Sequence, residues 1–242
     1  LMLHKTRGIV LKSTDYSETS VVVQVFTEKF GLQSYLINGV KKPKAKIRSN
    51  ILQPMHLLDM VVYHKPSGSI QRVSEVRQVP LFQTIPYDVV KTSLVMFLDE
   101  VLYKSVRQQT ADEVLFDFVF QSIELLDKIE AGLANFHLYF LLHLTRFLGF
   151  YPDRTLERTA GYFDLVEGCY RNSAPGHTAV LHQPHTAYWA MVLDADYNTL
   201  DQLRIPAEER KLLLSKVLDY YRLHIDGFGI IRSQQVLEEV LS

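Results

Sequence analysis

A single cysteine, Cys169, stands in 242 residues. One thiol excludes an internal disulfide and any zinc cluster built from several cysteines, and its scarcity suits a reducing, cytoplasmic setting. Long apolar runs are missing as well. Even Phe136 to Leu144 is interrupted by His137, Tyr139 and His143 and falls short of the ~20 residues that span a bilayer. The first residues form no hydrophobic segment of the signal-peptide kind, and Leu1 ahead of Met2 reads as an appended residue. Catalytic signatures are absent too: there is no glycine-rich phosphate loop, no Gly-x-Ser-x-Gly elbow and no His-Glu-x-x-His pair. The sequence argues for a protein that is not an enzyme, holds no cofactor and enters no membrane.

The most informative shortage is of acid in one stretch. Gly39 to Arg48 reads Gly-Val-Lys-Lys-Pro-Lys-Ala-Lys-Ile-Arg, so Lys41, Lys42, Lys44, Lys46 and Arg48 crowd together with no carboxylate among them. Their mutual repulsion calls for an anion nearby. Pro43 keeps the segment out of a helix interior or a central strand, which makes it an exposed loop. Residues 1 to 80 carry 12 Lys/Arg against 5 Asp/Glu, while the remainder carries 14 against 22. A basic first third on an acidic remainder predicts two surfaces with different partners, although basic surface docked on the chain's own acidic part is an open alternative. A solvated run of charge is the other plain reading of the loop.

The period of the apolar residues changes near Pro80. Before it, Thr6 to Ser13, Val21 to Phe26, Leu32 to Ile37, Ile51 to Tyr63 and Ile70 to Val79 read as five strands, with turns at Thr14–Glu18, Glu28–Gly31 and Pro66–Gly68. Five short strands in about eighty residues predict a small closed barrel or sandwich. After it, Tyr87 to Gln109 is helical, Thr110 and Glu113 form a capping-box pattern for a second helix, and Leu133 to Leu148 is apolar almost all round and predicts an enclosed third helix. Tyr151 to Pro184 is a loop-rich insertion in which Tyr162 to Val166 could form a strand. His185 to Leu193, Pro206 to Ile225 and Val236 to Leu241 are helical again. The expectation is α+β and multidomain: a barrel over 1–80, then a helical domain over 81–242 with its insertion at about 151–184.

Cys169, His177, His182 and His185 offer four zinc-compatible donors, but their irregular spacing matches no standard site and predicts no metal. His137 and His143 lie on the enclosed helix and read as core residues. Among the aromatics of the first eighty residues, Phe26, Phe30, Tyr35 and Tyr63 are needed largely for the core. Tyr16, flanked by polar residues in a turn, is the one expected outside, where it could stack on unpaired bases.

The blocks Gly8-Ile9-Val10-Leu11-Lys12, Asp15-Tyr16-Ser17-Glu18-Thr19, Val25-Phe26-Thr27-Glu28 with Gly31, and Gly39 to Arg48 followed by Leu52-Gln53-Pro54 resemble the bacterial recombination mediator family RecO. Leu148-Gly149-Phe150-Tyr151-Pro152, Tyr220-Tyr221, Gly227 and Ser233 extend the resemblance more loosely. It implies an N-terminal OB-fold barrel followed by an all-α helical domain. It also implies binding of single- and double-stranded DNA, annealing of complementary strands, and work with RecR that helps RecA replace single-strand-binding protein, in a cytoplasmic, nucleoid-associated setting. Carried over by position, Lys41, Lys42, Lys44, Lys46 and Arg48 are the expected DNA contacts, with Arg7, Lys12 and Tyr16 behind them. Many family members carry a four-cysteine zinc module; here Thr155 and Arg158 stand where its first Cys-x-x-Cys would be. Two other readings compete. One is an OB-type interaction module whose basic loop grips an acidic protein; the other is a metallohydrolase using Asp164 and the nearby histidines.

Overall fold

Alternating apolar residues in the first third close a five-stranded barrel in the computed structural model, which describes residues 2–66, 68–107, 109–157 and 159–242. Leu1, Ser67 of the expected turn, Gln108 at the end of the first predicted helix, and Arg158 lie outside the described residues. The strands are β1 (Leu3–Asp15), β2 (Val21–Thr27), β3 (Gly31–Ile37), β4 (Leu57–Tyr63) and β5 (Gln71–Gln78), in the order β1-β2-β3-β5-β4. A parallel pairing of β3 with β5 (Tyr35 opposite Gln71, Leu36 opposite Arg72) joins the edges and closes the barrel. This is the barrel that the OB-fold expectation requires.

β1 is longer than its apolar pattern suggests because it serves two partners. Leu3 to Ile9 pairs with β4, and Gly8 to Asp15 pairs with β2 across a bulge between Val10 and Lys12. At the changeover, a Cβ on Gly8 would sit 2.6 Å from Val25 Cγ1 and 2.8 Å from the Met60 sulfur, so only glycine fits there. Val10, Val21, Val23, Val25, Tyr35, Ile37, Leu58, Met60 and Val62 fill the interior. The sequence run Ile51 to Tyr63 proves to be two elements: a 3-10 turn over Ser49–Leu52 and then β4.

Two helices pack with the barrel in the first compact unit, Leu1–Lys128: α1 (Val89–Ser105) and α2 (Glu113–Lys128). Asp88 caps α1 by accepting from the amides of Val90 and Lys91. α2 begins later than the Thr110 capping pattern predicts, because Asp112 takes that role and accepts from the Leu115 amide at 3.0 Å. Asp127 ties α2 to the segment entering α1, accepting from the amides of Gln83, Thr84 and Ile85 at 2.8 to 2.9 Å. The buried Lys91 completes the knot, reaching Thr84 Oγ1 at 2.7 Å and the Asp127 carbonyl at 3.1 Å.

The second unit, Ile129–Ser242, is built on α3 (Leu133–Leu148), whose ends are set by Gly132 and Gly149 in left-handed conformations. It is enclosed as its composition predicts. α4 (His185–Asp194), α5 (Ala207–His224) and α6 (Gln234–Val240) complete the helices. Tyr221 of α5 donates to the Leu141 carbonyl at 2.7 Å, and Tyr220 to that of Phe150 at 2.6 Å. The insertion is more regular than its loop-rich composition suggests. It contains a three-stranded sheet, β7-β6-β8, from β6 (Tyr162–Asp164), β7 (Cys169–Arg171) and β8 (Val180–Leu181). No helix among the described residues is long and apolar enough to cross a membrane.

Candidate nucleic-acid interface

The basic segment leaves β3 at Gly39, whose φ of 72° turns the chain, and runs to β4 through successive turns: Lys42 N to Gly39 O at 3.2 Å, Ala45 N to Lys42 O at 3.0 Å, and Ile51 N to Arg48 O at 3.4 Å. Its apolar residues explain its course. Val40 is buried in the barrel core, and Ile47 and Ile51 pack against that core. Pinned at these points, the chain has no choice but to send the intervening polar side chains outward. Lys41, Lys42, Lys44, Lys46 and Arg48 are all exposed. Lys41 pairs with Asp15 at 2.8 Å. Among the described residues, no carboxylate pairs with Lys42, Lys44, Lys46 or Arg48.

The turn between β1 and β2 lies against the root of this loop. Lys41 N donates to Thr19 O at 3.4 Å, and Ser20 Oγ to Asn38 Oδ1 at 3.0 Å. Tyr16 stands in that turn, held by its amide on Ser20 O at 3.0 Å, and the residue is 63% exposed. One end of the barrel therefore carries an exposed aromatic ring beside a cluster of cations. The other candidate rings are in the core, as Phe26 and Tyr35 are, or half-buried, as Phe30 and Tyr63 are.

Lys12 is exposed on β1, its Nζ 4.9 Å from the Tyr103 ring centroid and 3.4 Å from its hydroxyl. Arg7 is engaged inside its own unit. Its guanidinium donates to Glu28 Oε1 at 2.9 Å and Oε2 at 3.2 Å, and to Asp117 Oδ1 at 2.6 Å. It also lies 5.1 Å and 4.9 Å from the ring centroids of Phe116 and Phe120. Hydrogen bonding to Arg7 holds the Glu28 carboxyl below its ordinary range, and the same bond raises the arginine. Nothing local in the sequence announces this: Asp117 is far along the chain.

The zinc-compatible residues are not gathered. His185 Nε2 meets Glu209 at 2.5 Å, His182 is edge-on to Tyr162, and His177 Nε2 lies 3.2 Å from Asp164. Asp164, 1% exposed, is occupied in holding its hairpin: it accepts from the amides of Val166 and Glu167 and from Arg171 Nε at 2.9 Å. The described residues include no group of three His, Cys, Asp or Glu fit to hold a metal ion. Thr155 is exposed at the place of the family's first thiolate, so the donor set does not suit the zinc module. On α3, burial drives the His137 imidazole down to about 3 and takes His143 to about 4, with the His143 Nε2 on Val192 O at 3.3 Å; His137 is a core residue, as expected, whereas His143 is only half-buried.

Family profiles match almost the whole chain: "Recombination protein O N terminal" over residues 2–82 and "Recombination protein O C terminal" over residues 86–230. Curated relatives align end to end. The chain is 34% identical over 239 residues to the DNA repair protein RecO of Azobacteroides pseudotrichonymphae, covering 99% of each chain. It is 33% identical over 241 residues to that of Phocaeicola vulgatus, covering 100% of each. Against that of Flavobacterium psychrophilum it is 34% identical over 242 residues, covering 98% of this chain and 99% of the relative.

Proposed function

Since the chain belongs to the RecO family and so to DNA repair and recombination, we propose that its barrel holds single-stranded DNA through Lys41, Lys42, Lys44, Lys46 and Arg48, with Tyr16 stacking on a base beside them. The observation that carries this is the exposure of all five cations with, among the described residues, a single carboxylate, Asp15, paired to them. Cations on a loop contact phosphates irrespective of sequence, whereas an exposed ring accepts any base face. Both features suit a protein that must act wherever a gap occurs. Lys12 extends the cationic surface along β1. Arg7 ties β1 to Glu28 and to α2 and stands outside the DNA-contacting set.

Neutralised phosphates reduce the repulsion between complementary strands, and annealing follows from proximity alone, with no bond made or broken. The activity is therefore mediation and not catalysis. It extends to double-stranded DNA, whose phosphates are chemically alike, and to the transfer of a strand from single-strand-binding protein to RecA with the help of RecR. The setting is the cytoplasm, at the nucleoid.

The experiment is annealing of complementary oligonucleotides coated with the cognate single-strand-binding protein, with the wild type and with a variant in which all five loop cations are glutamine. The wild type should accelerate annealing and the variant should not. Equal rates would refute the assignment of the loop. Tight binding of an acidic protein with no oligonucleotide shift would favour an interaction module instead.

A further inference from the structure

One lysine on the outer wall of the barrel reaches α1. Gln24 lies on β2 between Val23 and Val25, which face the core, so Gln24 and Lys12, directly opposite it on the β1–β2 ladder, point outward. On that side stands Tyr103, in the last turn of α1 and within the same compact unit. The Lys12 ammonium lies over the Tyr103 ring, 4.9 Å from its centroid and 3.4 Å from its hydroxyl. A ring face and the negative end of a helix dipole both favour a cation at this point.

The contact directs the ammonium without using it up. Lys12 is exposed and Tyr103 half-buried, and among the described residues Lys12 is in no ion pair. Because the Tyr103 hydroxyl accepts from Lys12, its own proton is left to donate. Two donors therefore stand 3.4 Å apart, a spacing at which the two unesterified oxygens of one phosphate can each take a hydrogen bond. The acids of α1 do not fill the place. Glu100 pairs with Lys104 at 3.2 Å. Asp99, one turn before Tyr103, has its carboxyl pushed up to about 8 by burial and is uncharged at neutral pH.

We propose that Lys12 and Tyr103 form a two-donor clamp for a backbone phosphate of single-stranded nucleic acid, on the outer wall of the barrel beyond the basic loop. The inference rests on the reading of the loop as the strand's first hold and extends the path from it. Asp15, which pairs with Lys41, ends the β-strand that carries Lys12 and is about 10 Å of contour from it at ~3.3 Å per residue. A nucleic-acid strand that has filled the loop spans that distance with about three further nucleotides, at ~3.4 Å each when stacked. The total stays within the roughly 4–16 nucleotides that one barrel of this kind covers. An ammonium and a hydroxyl read the backbone and not the bases, in keeping with annealing that is indifferent to sequence.

The test is fluorescence anisotropy of the full chain across a range of salt with two single strands of arbitrary sequence. One has about five nucleotides, which the loop alone accommodates, and the other about fifteen, which reach beyond it. For the longer strand, Lys12→Gln should make the log–log slope shallower by about 0.7. Tyr103→Phe keeps the ring under the ammonium and removes only the hydroxyl. It should weaken binding of the longer strand about fivefold, with slope and melting temperature unchanged. In the Lys12→Gln background the same change should cost less than about twofold, because the phosphate is no longer held between two donors. The shorter strand should register none of these changes. Wild-type affinity of Tyr103→Phe for the longer strand, or a Lys12→Gln slope equal to the wild type's, would overturn the clamp while leaving the function proposed for the loop intact. Equal losses on both strands with a lowered melting temperature would reveal a merely structural contact and overturn it too. Full affinity of the five-cation loop variant for the shorter strand, with the Lys12→Gln and Tyr103→Phe losses still present for the longer one, would sink the loop assignment and support the clamp. A wild type that binds neither strand would overturn both.

Discussion

Lys42, Lys44, Lys46 and Arg48 stand in one region of the barrel, Arg7 in another, and the charge is the same in both; what differs is whether the fold brings an acid across. Arg7 meets Glu28 and Asp117 and lies against two phenylalanine rings. Among the described residues the four loop cations meet no acid, and the fifth, Lys41, meets one exposed carboxylate. A cation's place in sequence therefore says little about its availability. The loop is available because Val40, Ile47 and Ile51 hold its backbone to the core while its charged side chains stay exposed.

The largest effect that would break this contrast is on DNA affinity. Converting Lys41, Lys42, Lys44, Lys46 and Arg48 together to glutamine should weaken binding of a short oligonucleotide about a hundredfold at low salt without altering the melting temperature. Fluorescence anisotropy and thermal unfolding read the two quantities separately. Arg7→Met should do the reverse. It removes a pair that is about one-third exposed, so a discounted loss of about 1–2 kcal/mol in stability is expected with affinity per folded molecule unchanged. The sign with pH follows from Glu28. Its carboxyl is held below its ordinary value by Arg7, so this stabilisation is present above that value and is lost as pH falls through the depressed one. Acid titration of the Arg7→Met variant should lack that contribution, and its difference from the wild type should shrink at low pH.

Smaller effects sharpen the comparison within the loop end. Tyr16→Ala should cost about 1 kcal/mol of single-strand affinity and Tyr16→Phe almost none, because stacking needs the ring and not the hydroxyl. Competition binding at fixed salt distinguishes them. Asp15→Asn should release Lys41, tightening binding about two- to threefold, and the gain should vanish when Lys41 is already glutamine.

Much of the barrel is legible in the sequence because its strands alternate. Val21, Val23 and Val25 face the core and the Glu28–Gly31 turn falls where its residues demand. α3 is equally legible, bounded by Gly132 and Gly149. The first residues of β1 are not, since His4, Lys5, Thr6 and Arg7 are polar themselves and show no apolar period, although they pair with the largely apolar β4. Nor is the small sheet of the insertion. Its strands are two or three residues long and are secured by Asp164, whose part in the hairpin depends on Arg171 and His177 coming close only in the fold. At the candidate site, the cations and Tyr16 are readable from composition and turn chemistry. Asp15 as the partner of Lys41, and Asp117 as the partner of Arg7, are not, because both pairings arise from chain segments that meet only when the barrel unit closes.

The most direct test of the central claim is the dependence of single-strand affinity on salt, measured with a short oligonucleotide of arbitrary sequence. Four unpaired loop cations predict a log–log slope of about −2.8, rising to about −3.5 when Asp15→Asn frees the fifth, and collapsing toward zero when all five are neutral. A slope that is the same in the wild type and in the five-cation variant would contradict the account.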